Sequence, residues 1–196
     1  VPGFADVSKP VSFWSDYIDP TGNAFGSKVT VNGSAVATSQ AAAASTELAF
    51  DAQGEVTLTV NYPDAGKMQL NARHEGSGDS AGLVMTGADQ FVSRPVGLCI
   101  TPTQGTCAAG DITCPVFKRT GDSFSLNIQA MAWQSDSDGD ICTGNGTTPN
   151  FVLSDIALTS ELVAPQGGVA AQVTPTRYSH VAASASLNTP ALSLNA

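Results

Sequence analysis

Glu55-Val56-Thr57-Leu58-Thr59-Val60-Asn61-Tyr62 alternates polar and apolar residues without a break. Successive side chains of an extended chain point to opposite faces, so this run places Val56, Leu58, Val60 and Tyr62 on one side, and that side is expected to be core. Upstream, Val31-Asn32-Gly33-Ser34 offers the Asn-Gly pair that supplies both positive φ values of a tight type I′ turn. Strands over Lys28–Asn32 and Ser34–Thr38 are therefore expected to meet as a hairpin. Further β-branched or alternating runs follow at Val11–Trp14, Thr46–Phe50, Lys67–Glu75, Leu83–Met85, Gln90–Ile100, Ser123–Trp133 and Phe151–Val163. Turn residues separate them and amphipathic helical periodicity is nearly absent, which is how β-sandwiches read in sequence. The Ala-rich Gln40–Ser45 stretch is too short for an independent helix and is expected to form at most one helical turn between strands.

The chain has 196 residues, room for two Ig-sized units of roughly 100 residues each. The polar break at Gly76–Ser80 is read as their junction, giving tandem Ig-like β-sandwich units over residues 1–75 and 76–196 of an all-β chain. Beyond Pro165-Gln166-Gly167-Gly168 the composition shifts to Ala, Ser, Thr and Pro, so the last segment is expected to be a sparse hairpin or a tail. The opening Val1-Pro2-Gly3 reads as the start of a processed or excised piece.

Eight Lys and Arg against seventeen Asp and Glu give a net charge of −9. That balance repels a phosphate backbone and an anionic membrane surface, so neither nucleic acid nor direct membrane insertion is expected. No apolar run approaches the roughly 20 residues that cross a bilayer. Cys99, Cys107, Cys114 and Cys142 form no CxxC pair and no zinc spacing, which favours disulfides and an oxidising, extracellular compartment. Four cysteines allow three connectivities. The preferred one joins Cys107 to Cys114 around the Gly/Thr/Ala loop and Cys99 to Cys142 between two strand regions.

Ser135-Asp136-Ser137-Asp138-Gly139-Asp140 is the sharpest chemical signal, with three carboxylates at alternate positions around a glycine. Calcium is the cation such a loop would take, through Asp136, Asp138 and Asp140 with Asn145 or a backbone carbonyl. The EF-hand pattern itself fails, because Ile141 and Thr147 stand where it needs glycine and a bidentate acid. A solvated acidic turn tethered by Cys142 is the simpler reading. His74 and His180 sit in no zinc motif, no GxSxG elbow or phosphate loop occurs, and Glu47, Glu55, Glu75 and Glu161 read as acidic surface rather than a glycosidase pair. No catalytic residue and no cofactor is expected. Trp14, Tyr17, Trp133 and Tyr178 are candidates for stacking on a sugar ring, but Trp14 and Trp133 lie in strand-like runs and are expected to be core anchors. Asn32-Gly33-Ser34 and Asn145-Gly146-Thr147 match the glycosylation pattern and mark surface turns in either case.

Read in order, Phe13-Trp14-Ser15-Asp16-Tyr17-Ile18-Asp19-Pro20-Thr21-Gly22, Val29-Thr30-Val31-Asn32-Gly33, Phe50-Asp51-Ala52-Gln53-Gly54-Glu55-Val56-Thr57-Leu58 and Asn61-Tyr62-Pro63-Asp64-Ala65-Gly66 resemble the uncharacterised C-terminal region of MshQ-like proteins. Leu70-Asn71-Ala72-Arg73, Met85-Thr86-Gly87, Asp89-Gln90-Phe91-Val92-Ser93-Arg94-Pro95 and Thr148-Pro149-Asn150-Phe151 extend the resemblance toward residue 165. Those proteins are associated with mannose-sensitive haemagglutinin type IV pili. The resemblance implies a non-catalytic stalk or assembly module of a bacterial surface protein, with other domains of that protein or pilus subunits as partners. The alternative expectation is a carbohydrate-binding module that meets surface glycans through an exposed aromatic beside the acidic loop. Glu55–Tyr62 and Phe151–Val163 are the runs considered for pairing with a partner's strand, though both are expected to be internal core strands.

Overall fold

The structure, a computed structural model, describes residues 3–103, 113, 117–119, 121–163 and 166–195. It divides into two compact units, Val1–Arg94 and Pro95–Ala196.

The first unit contains β1 (Ser8–Asp19), β2 (Thr30–Val31), β3 (Ser34–Ala35), β4 (Ser45–Ala49), β5 (Val60–Asn61), β6 (Gly66–Glu75) and β7 (Val84–Ser93). One sheet has the order β4-β1-β6-β7 and the other β3-β2-β5, with antiparallel pairing throughout. Val11 and Phe13 of β1, Leu48 of β4 and Met68 of β6 project from the first sheet. They meet Val29, Val31, Val36 and Tyr62 from the second in a single buried cluster. Along β1 the buried residues recur every second position, Val11, Phe13 and Ser15, as a strand with one covered face requires. Asn32 and Gly33 have φ of +49° and +81°, so the Asn-Gly turn forms as its sequence demands, with Val31 opposite Ser34.

The junction does not lie at Gly76–Ser80. Gly76 N–H donates to the Leu83 carbonyl, a 3₁₀ turn covers Gly78–Ser80, and β7 returns alongside β6 from Glu75–Val84 to Gly66–Ser93. The polar stretch is a hairpin turn within the first unit, and the break follows Arg94. For the same reason Leu83–Met85 and the start of Gln90–Ile100 form one strand. Pairing along all of β6 overrides the weak strand preference of Gly87-Ala88-Asp89. Of the alternating run at Glu55–Tyr62, only Val60–Asn61 enters a ladder. Val56 and Leu58 pack against the core and Tyr62 is buried, whereas Val60 is exposed on the sheet-edge strand β5. Gln40–Ala42 does form a single 3₁₀ turn.

Where β6 begins, a Cβ on Gly66 would lie 2.6 Å from Tyr17 Oη, so only glycine fits against that ring. Tyr17 donates to the Ala65 carbonyl at 2.8 Å. Buried Asp64 accepts from Ser27 Oγ at 2.7 Å. Burial, then Asp64 and Asp19, push the Tyr17 hydroxyl up to about 12.

The second unit contains β8 (Gly97–Pro102), β9 (Leu126–Met131), β10 (Leu153–Ala157), β11 (Gln172–Thr174), β12 (Arg177–His180), β13 (Leu187–Asn188) and β14 (Ser193–Asn195). They form a sheet of order β13-β9-β8 and the pairs β10-β12 and β11-β14. Ile128 and Leu192 are its most deeply buried apolar side chains, joined by Ala130, Met131, Val173 and Tyr178. The segment after residue 165 contributes four short strands and the buried Leu192, so it is part of the fold rather than a tail.

The raised Tyr17 pKa means that the folded state holds the phenolic proton longer than the unfolded chain does. Its contribution to stability is complete below pH 10 and falls away as pH rises from 10 toward 12. Thermal unfolding across that range should show a drop that Tyr17→Phe flattens.

Candidate functional site

The sheet of the second unit continues past β9 into a loop held at both ends. Ala132 N–H donates to the Gly146 carbonyl at 2.7 Å, Thr148 N–H to the Ala130 carbonyl at 3.0 Å, and Asn145 Nδ2 to the Ala132 carbonyl at 2.9 Å. Cys142 is bonded to Cys99 in β8, with Cα atoms 5.1 Å apart. Ile141 lies against Gly97, where a Cβ would come within 2.8 Å of its methyl carbon. The disulfide and this close approach pin the loop to the outer strand of its sheet. The expected Cys107–Cys114 pair lies outside the described residues.

Inside the loop the carboxylates serve the chain's own donors. Asp138 Oδ1 accepts from Asp140 N–H at 3.1 Å. Asp140 accepts from Cys142 N–H at 3.0 Å and from Thr143 Oγ at 2.9 Å. Short Asp side chains bond readily to nearby backbone in this way, which stabilises turns. Asp138 Oδ2 and Asn145 Oδ1 are shielded from solvent without a hydrogen-bond partner. Yet among the described residues no group of three or more His, Cys, Asp and Glu converges as a metal site. Asp138 and Asp140 of the expected calcium set are thus engaged with the turn's own donors, and Asp136 makes no such bond among the described residues of the loop.

Trp133 stands immediately before this loop and is 63 % exposed, against the expectation that it anchors the core. Ile128, Ala130 and Met131 are buried, and Trp133 falls two residues past the end of β9, where the chain has left the ladder and enters the loop. Trp14 is half-buried in β1 of the first unit. Tyr178 is buried and its hydroxyl is 3.1 Å from His180 Nδ1, so its ring is not a platform. Tyr17 is tied to Ala65. Of the four aromatics considered, Trp133 alone is exposed beside the acidic loop.

Both histidines are core residues. His74 Nδ1 is 2.8 Å from the Pro10 carbonyl, and burial lowers the pKa of His180. Glu75 pairs with Arg73 at 2.5 Å on the first unit's sheet, and Glu161 belongs to the second unit.

The Cys99–Cys142 bond spans 43 residues of sequence. The chain-entropy relation for a loop of that length gives about 4 kcal/mol. Replacing both cysteines by Ala should cost the second unit about that much in denaturant unfolding. Calcium or chelator should leave the transition where it is; a rise with calcium would restore the metal site.

Residues 1–88 match the family model described as Domain of unknown function (DUF6701), first Ig-like domain. Residues 94–189 match DUF6701, second domain, a match that begins at the last residue of the structure's first unit. No curated protein and no solved structure matches the chain. With the first and second domains present in order along nearly its whole length, the chain belongs to the DUF6701 family.

Proposed function

We propose that this chain is a non-catalytic extracellular module that spaces or presents a binding region on a bacterial surface or pilus-associated protein, as in the MshQ-like proteins that it resembles. The observation that carries this reading is the Cys99–Cys142 disulfide, because such bonds persist in oxidising compartments. Units built of paired strands suit a spacer, since such pairing distributes a load over many backbone hydrogen bonds. Among the described residues, both histidines and the acidic loop are engaged in structural contacts. No helix of the described residues is long and apolar enough to cross a membrane. Other domains of the same surface protein or pilus subunits are the partners on this reading.

In intact producing cells, an impermeant amine-reactive label should reach the lysines of this region. Protection until lysis would contradict the proposal.

Exposed Trp133 favours a second reading, a carbohydrate-binding module. An indole face held rigid beside hydroxyl and carboxylate groups can stack on the C–H face of a neutral sugar, while its neighbours bond the ring hydroxyls. Neutral oligosaccharides should then shift tryptophan fluorescence, and Trp133→Ala should abolish the shift. No change on titrating a panel of such sugars would remove this reading.

A further inference from the structure

β7 closes one side of the four-stranded sheet. The Gly76–Leu83 bond sets the phase of its ladder. Antiparallel strands alternate hydrogen-bonded and non-hydrogen-bonded pairs. Met85, Gly87, Asp89 and Phe91 therefore bond inward to β6, while Val84, Thr86, Ala88, Gln90 and Val92 turn their N–H and C=O groups to the free edge. Gln90 agrees with this phase, since its N–H is taken by Asp89 Oδ1 at 2.8 Å.

Natural edge strands are usually blunted by shortness, proline, lysine or a bulge. β7 has none of these over its ten residues, its register on β6 is unbroken, and Asp89 is its one charge. The opposite edge, β4, has five residues. β7 also reads alike in both directions about Ala88. Val84 answers Val92, Met85 answers Phe91, Thr86 answers Gln90, and Gly87 answers Asp89.

We propose that β7 is a dimerisation edge on which a second copy of this chain pairs antiparallel, with the two-fold axis at Ala88, to make one continuous sheet. The outward-facing residues then meet one another, as the hydrogen-bond phase requires. Val84 and Val92, 49 % and 69 % exposed, cover each other on both sides of the axis. Asp89 lies opposite the second copy's Gly87 and not its own mate, so the strand's charge meets no like charge. Asp89 must release Gln90 N–H for the new ladder. Gln90 Nε2 is already bonded to Gln69 Oε1 at 3.0 Å. That bond ends a side-chain ladder running through Asn71 to Asp16.

Sedimentation of the full chain at increasing concentration tests this. The expected species is twice the 19.9 kDa protomer, and added salt should tighten it by screening the charge of −9 on each copy. Val92→Glu turns a carboxylate toward the second copy's Val84 while facing Lys67 within its own sheet. It should weaken association about tenfold or more and keep cooperative unfolding. Ala88→Pro removes an outward N–H that β6 does not use and should give a monomer; Val92→Glu decides if that variant does not fold. A wild-type monomer at every concentration, an open polymer, or a dimer that survives Val92→Glu would overturn the proposal.

Discussion

β6 is the strand on which the first unit rests. It is hydrogen-bonded to β1 on one side and β7 on the other, and its inner face delivers Met68 into the cluster shared by both sheets. Burying a Met or Phe side chain is worth about 1.5–3 kcal/mol, so Met68 and Phe13 together hold a large part of a domain's marginal stability. Gly66 opens this strand because the Tyr17 ring leaves no room for a Cβ. The return of the chain from the second sheet to the first, past Tyr62 and the buried Asp64, ends where β6 starts.

The second unit solves the same problem with less apolar material. Its interior mixes Ile128, Leu192 and Met131 with buried Thr148, Asn150, His180 and Thr189. Such polar groups cost free energy unless bonded. Thr189 meets this by accepting from Leu126 N–H at 3.0 Å, and His180 by its contact with the Tyr178 hydroxyl. A neutral imidazole kept from water resists protonation, so His180 supports the fold above its ordinary range and opposes it as pH falls below 6.5. The disulfide acts where these short strands are joined by long connections, by limiting the freedom of the unfolded chain.

Much of this was legible from local rules. Asn32-Gly33 specified its turn, because few other residue pairs accept two positive φ values, and period-two alternation placed Val56, Leu58 and Tyr62 toward the core, though Val60 of the same set is exposed on β5. The Cys99–Cys142 pair was also chosen correctly. The domain junction was misplaced because Gly76–Ser80 carries the same polar, Gly-rich chemistry whether it turns a hairpin or links domains, and only the non-local pairing of β6 with β7 tells them apart. Trp133 was misread because size and apolarity argued for burial, while the strand that would have carried it inward ends at Met131. The carboxylate spacing at residues 136–140 suggested a cation, but spacing does not show that Asp138 and Asp140 also accept the loop's own N–H groups.

The central claim is that the first cooperative unit includes β7 and ends at Arg94. Native-state hydrogen exchange on two truncated chains, residues 1–94 and residues 1–75, tests it most directly. The account expects residues 1–94 to unfold cooperatively with slow exchange at Met68, Leu70 and Ala72, and residues 1–75 to lose that protection. Equal protection of β6 in both chains would contradict it.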